Sequence, residues 1–279
     1  MLCQSHRDIT NIAMDYLGIK RGDFTRTILR NICSPDRARK YSKKERFAPH
    51  HWGRHKDIID YVFRARMNYL SNDLKLAGKC LAWALHLIQD HCVSISNHDE
   101  LERSIAQECV EDYILSEFKI LYSFKDLEEY IYSITPRDNP KEAIISALGH
   151  TMTVLKSVVA ERRKPPSDLL KSIHSLTERL KVVQAIRRKA IKEWRKRTRI
   201  KFLIYNIVFL PLLVLLPFLV KIQIIVFITL LSELIVYFIS RRGKPLNELR
   251  KLEKEEYSIL EEINAISREI AWHSGNLSC

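Results

Sequence analysis

The stretch Ala77–Asp90 reads as one buried helix that keeps two polar side chains on its inner side. Leu81, Ala84, Leu85 and Ile88 recur at helical spacing and form an apolar face. His86 and Asp90 are four residues apart, so they project from the same side, one turn above the other. An imidazole and a carboxylate held together beside an apolar face serve each other as a core hydrogen bond, or they serve a metal ion. This stretch alone is compatible with both, and the rest of the chain has to separate them.

At 279 residues the chain can hold one large domain or two small ones. It carries 46 Lys+Arg against 33 Asp+Glu, a net charge of +13. Such a balance suits nucleic acid or an anionic membrane surface. Residues 181–201 alone hold ten Lys/Arg and one acid, Glu193, so the excess belongs mostly to one segment. That weakens any reading of the whole chain as a polyanion binder. Seven glycines and few alternating apolar/polar runs predict an all-α chain. The six cysteines, Cys3, Cys33, Cys80, Cys92, Cys109 and Cys279, show no paired spacing and read as reduced thiols. Residues 1–8 lack an apolar core segment, so no secretory signal is expected.

Residues 1–165 read as a helical domain. Ile9, Ile12, Ala13, Tyr16 and Leu17 mark a first amphipathic helix ended by Gly18. Residues 18–50 are basic and read as irregular, with Pro35 and Pro49 breaking any long helix. Further helices are expected over 56–70, 77–90, 109–122, 126–134 and 141–159, with Ser71-Asn72-Asp73 capping the central one. Arg54, Arg64 and Arg66 could touch an anionic substrate, but a solvated helix face is the expectation. His50 and His55 read as surface or flanking residues, and His150, His174 and His273 as surface or packing residues.

Pro165-Pro166 marks a boundary. Beyond it Leu169, Ile173, Leu176, Leu180 and Val183 repeat at spacings of 4, 3, 4 and 3, a heptad seam. This coiled-coil and basic juxtamembrane segment covers 166–201. Residues 202–220 and 222–239 are then two apolar runs of 19 and 18 residues separated by Lys221, close to the ~20 residues that cross a bilayer. Pro211 and Pro217 are tolerated in spanning helices. Two adjacent runs of this length predict a transmembrane helical hairpin over 202–240 rather than two core helices. Arg195–Lys201 precede it and Arg241, Arg242 and Lys244 follow it, so both termini are expected in the cytoplasm. Residues 241–279 form the C-terminal coiled-coil helix, with Leu249, Leu252, Ile259, Ile263, Ile266 and Ile270 on heptad positions and Glu256 at the missing one. Two heptad stretches flanking a hairpin run in opposite directions. An antiparallel coiled-coil stalk is expected, with pairing between two subunits of a homodimer as the alternative.

The polar residues of the first domain recur in a known order. Ser5-His6, Ile9, Asn11, Ala13 and Asp15 resemble the first helix of the bacterial zinc-dependent phospholipase C family. The pattern Ala77…Leu85-His86-x-x-x-Asp90 resembles that family's central helix. Pro35-Asp36 and His50-His51-Trp52 match an Asp in the loop after the first helix and a His-aromatic pair. His98-Asp-Glu-Leu-Glu102 matches a His-x-x-x-Glu pair. The fungal single-strand-specific zinc nucleases share this fold and ligand order. The resemblance covers about residues 1–160.

The resemblance implies two or three Zn2+ ions held by His6, Asp36, His51, His86, Asp90, His98 and Glu102. Asp36, His51, His86 and Asp90 would hold one zinc. Asp90 would bridge to a second, bound by His6 and the chain's N-terminus. His98 and Glu102 would hold a third. Asp36 would also orient or deprotonate the attacking water. The residue chemistry agrees, because zinc takes neutral imidazole and carboxylate, and clustered metals favour phosphodiester hydrolysis. Three features depart from the family. Met1 stands where the family has a Trp, with its amine or Cys3 as alternative ligands. Ser96 stands where the family has a His, with His98, His91 or Cys92 as substitutes. Relatives are mostly secreted, whereas this chain reads as cytoplasmic.

The expectation is a multi-pass cell-membrane protein whose zinc site cleaves a phosphodiester, most readily of a phospholipid. The basic segment would draw it to anionic headgroups. A membrane-tethered nuclease is the first alternative, although Trp52 and Trp83 offer few stacking platforms for nucleic acid. A non-catalytic membrane scaffold with a degenerate metal site is the second.

Overall fold

Nine α-helices and no strand are found among the described residues of the computed structural model, which are 2–20, 22–35, 54–94, 98–108, 118–215 and 244–275. The chain divides into two units: residues 1–169 with 267–279, and residues 170–266.

The first unit is built around α4 (Leu74–His91). Asn72 takes the left-handed conformation (φ 65°), and the Asp73 side chain then accepts from the Leu76 N–H as N-cap. From Ala84 to His91 every side chain of α4 is buried, while Leu76 and Lys79 earlier on the helix are exposed. It packs against α1 (Cys3–Tyr16), α2 (Asp23–Asn31), α3 (His55–Leu70) and α7 (Pro140–Val159). Its end is tied down where Ser94 N–H donates to Arg137 O and Arg137 N–H to Cys92 O. Gly78 lets α2 approach closely: a Cβ there would lie 2.8 Å from Phe24 O. Helices α5 (His98–Ile105) and α6 (Phe124–Tyr132) complete the unit's N-terminal part.

Several expectations change. Residues 23–31, read as irregular, form α2, whose Phe24 and Ile28 join the core with Ile32 beyond its end. Their four-residue spacing is short and set in a basic context, which hid it. Residues 118–122, read as the end of a helix, are not helical. Their backbone is satisfied instead by tertiary partners: Lys119 N–H donates to Thr153 Oγ1, Leu121 N–H to Ser157 Oγ, and Leu121 O accepts from Trp272 Nε1. The reading of all cysteines as thiols is corrected, since Cys3 and Cys33 are joined by a disulfide. It links the start of α1 to the end of α2, two sites that only folding brings together. Cys80 and Cys92 are free thiols.

Arg66 is also not a solvated residue. It is 3% exposed and donates to Trp272 O, Ser157 O, Val158 O and Ala160 O. The last three are carbonyls at the C-terminal end of α7, which the helix itself leaves without partners. Trp272 belongs to α9 (Lys244–Ser274), whose last turns thus form part of the first unit. Its indole is fully buried and lies 4.9 Å from the Arg66 guanidinium. Three residues earlier on the same stretch, Glu269 accepts from the Phe124 and Lys125 N–H groups and so caps α6.

In the second unit α8 (Ser167–Leu215) and α9 run side by side in opposite directions. Arg179 pairs with Glu255 at 2.9 Å, and Arg187 with Glu253 at 3.2 Å and Glu256 at 2.6 Å. Val183 and Ile259 are buried. Glu256, at the one polar heptad position, also accepts from Gln184 Nε2. A carboxylate there is met by two donors of the facing helix rather than by an apolar layer. Among the described residues no helix is long and apolar enough to cross a membrane. Residues 216–243, which hold most of the expected hairpin, lie outside the described residues.

Candidate metal centre

Amphipathic packing of α1 against α4 creates the site. Ser5, His6, Ile9, Thr10, Ala13 and Met14 are the buried residues of α1, spaced three and four apart. This places His6 opposite His86 and Asp90 of α4. The three side chains are 0–1% exposed. His6 Nε2 lies 3.2 Å from Asp90 Oδ1, and His86 Nε2 lies 3.1 Å from Asp90 Oδ2. The two imidazole centroids are 4.3 Å apart. One ligand atom from each of the three residues falls within 4.8 Å of the others, the one such cluster among the described residues.

The proton arrangement favours a cation here. Burial lowers the His6 pKa, and His86 adds to this while Asp90 opposes it. His6 Nδ1 is 2.7 Å from Gln89 Oε1, which places the imidazole hydrogen on Nδ1. Its Nε2 then presents a lone pair to a carboxylate oxygen, and it makes no acceptable hydrogen bond despite the 3.2 Å separation. The two atoms face each other in a fully buried site. Two imidazoles and one carboxylate are a donor set that a divalent cation could take. The residues present therefore fit zinc.

The expected residues divide into two groups. His6, His86 and Asp90 converge. Asp36 and His51, together with Met1 and Ser96, lie outside the described residues, and of His98 and Glu102 only the backbone on α5 is described. Among the substitutes, Cys3 is spent in its disulfide. Cys92 donates to Ile88 O, and burial pushes its thiol up to about 12, so it stays protonated and a poor ligand. His91 packs edge-on against His55 at 4.6 Å. His150 is a half-buried partner of the Tyr130 hydroxyl at 2.5 Å. No local sequence signal singles out Gln89, Thr10 or Thr151. Gln89 sits three residues after His86, but nothing local distinguishes it from a surface glutamine.

No protein-family model, curated protein or solved structure matches the chain.

Proposed function

We propose that the chain is a membrane-anchored, zinc-dependent hydrolase that cleaves the phosphodiester bond of a phospholipid. The observation that carries this reading is the buried His6 Nε2, which faces Asp90 without a hydrogen bond while His86 faces the other oxygen of the same carboxylate. Asp90, with one oxygen toward each imidazole, is suited to bridge two ions. His6, His86 and Asp90 would form the part of the ligand set contributed by α1 and α4, completed by Asp36, His51, His98 and Glu102. When bound, zinc supplies a Lewis acid for the phosphoryl oxygens and acidifies the attacking water. Asp36 would orient that water and accept its proton. Residues 202–220 and 222–239 would anchor the chain, the heptads of α8 and α9 would form the stalk, and residues 181–201 would be drawn to anionic headgroups on the cytoplasmic face. The heptad seams also permit a homodimer.

A second reading has its own support. Three ligands that are 0–1% exposed also suit a closed structural zinc in a non-catalytic scaffold. The test incubates the full-length chain with vesicles of phosphatidylcholine and phosphatidylglycerol and, separately, with single-stranded DNA. Release of phosphorylated headgroups by the wild type and not by Asp90→Asn supports the lipase. Release of nucleotides replaces it with a nuclease. Bound zinc with neither product leaves the scaffold.

A further inference from the structure

Gln89 lies at the junction of three helices and is fully buried. Its Nε2 donates to Thr10 Oγ1 of α1 and to Thr151 Oγ1 of α7, both at 3.0 Å. Both amide hydrogens are thereby used, and Oε1 is left facing His6 Nδ1 at 2.7 Å. Thr10 and Thr151 are themselves 0% exposed, so no solvent competes for these bonds. His6 and Thr10 are one turn apart on α1, so the same face of that helix carries the imidazole and one of the groups that orient its partner.

We infer that Gln89 is a positioning residue of the metal site: held by Thr10 and Thr151, it fixes the His6 tautomer so that Nε2 is free to ligate. The inference rests on the metal reading above. A histidine ligand whose other nitrogen donates to a fixed acceptor has a set ring orientation and greater basicity, and loss of such a partner weakens metal binding about 10–100-fold. Glutamine suits the position because its amide gives two donors to the threonines and one acceptor to the imidazole.

The test uses the full-length chain, titrated with Co2+ by its visible absorption and then displaced with Zn2+. Imidazole 15N shifts of the metal-free chain are read in parallel. Gln89→Leu should bind Co2+ about 10–100-fold more weakly at unchanged helical content. Gln89→Glu should stay close to the wild type, because a carboxylate oxygen still accepts from Nδ1–H and both threonine hydroxyls can turn to donate. Wild-type His6 should show a protonated Nδ1 and a bare Nε2. A folded Gln89→Leu chain with wild-type affinity overturns the inference, as does a wild-type His6 protonated at Nε2. If Gln89→Leu does not fold, affinity lost in Gln89→Glu also overturns it. A wild-type chain that binds neither metal, or binds both equally after His86→Ala, overturns the metal reading instead, and the nitrogen shifts still decide the role of Gln89.

Discussion

His6 Nε2 and Asp90 Oδ1 are 3.2 Å apart in a region closed to solvent, and the opposite ring nitrogen, Nδ1, is 2.7 Å from Gln89 Oε1. Buried polar atoms are normally partnered, and His6 Nε2 has no hydrogen-bond partner. A cation between them should therefore stabilise the fold. Zn2+ at a thousand times its dissociation constant should raise the unfolding free energy by about 4 kcal/mol. Thermal unfolding with and without chelator measures this. The increment should vanish in Asp90→Asn, and an equal increment in both proteins would contradict the site.

Gly78 is a point of close approach between α2 and α4. An added Cβ would lie 2.8 Å from Phe24 O and 3.0 Å from Thr27 Cβ. Alanine is the better helix former by about 1 kcal/mol, but a backbone carbonyl cannot swing aside, and overpacking costs about 1–3 kcal/mol. Gly78→Ala should lower stability by about 1 kcal/mol in urea denaturation. A stabilised variant would show that α2 does not pack as described.

Trp272 lies far along the chain from the residues around it. Its side chain is fully buried, its Nε1 donates to Leu121 O, and its carbonyl accepts from Arg66. Trp272→Ala should cost about 3–5 kcal/mol. The loss should appear as earlier proteolysis around residues 118–122, whose backbone loses a partner. Unchanged stability would detach the end of α9 from the first unit.

Burial, with Arg137 and His91 nearby, lowers His150 to about 4. The unfolded chain binds this proton at about 6.5. Between those values the unfolded state holds more protons, so stability is full above pH 6.5 and falls as pH drops toward 4, by about 3 kcal/mol. His150→Gln keeps an acceptor for the Tyr130 hydroxyl but does not titrate. Unfolding free energies of the two chains should diverge below pH 6.5, and parallel curves would disprove the assignment.

The Cys3–Cys33 disulfide closes a loop with a sequence separation of 30. Chain-entropy arguments give it about 3–4 kcal/mol. Reductant should lower the denaturation midpoint of the wild type and leave the Cys3→Ser/Cys33→Ser double variant unmoved. A wild type indifferent to reductant would mean that the two cysteines remain thiols in solution, in keeping with the cytoplasmic expectation.

Local periodicity carried the all-α class and the central helix. The spacing of Leu81, Ala84, Leu85 and Ile88 requires only that a helix bury one face, and it is visible within a few turns of chain. The same holds for His86 and Asp90, four residues apart. The short spacing of Phe24 and Ile28 was too brief to rise above its basic surroundings. The non-helical course of 118–122 depended on Ser157, Thr153 and Trp272, which no local window contains.

The site shows the same division. Sequence alone determined that an imidazole and a carboxylate share a helix face, and the ordered histidines and acids pointed to His6 as their companion. Only the tertiary structure decided that His6 faces the second oxygen of Asp90, that Gln89 sets its tautomer, and that Arg66 caps α7 instead of meeting solvent. The physical reason is that apolar burial needs only a face, which periodicity supplies. A buried polar atom needs one particular partner at one distance, and that partner comes from wherever the fold brings the chain back.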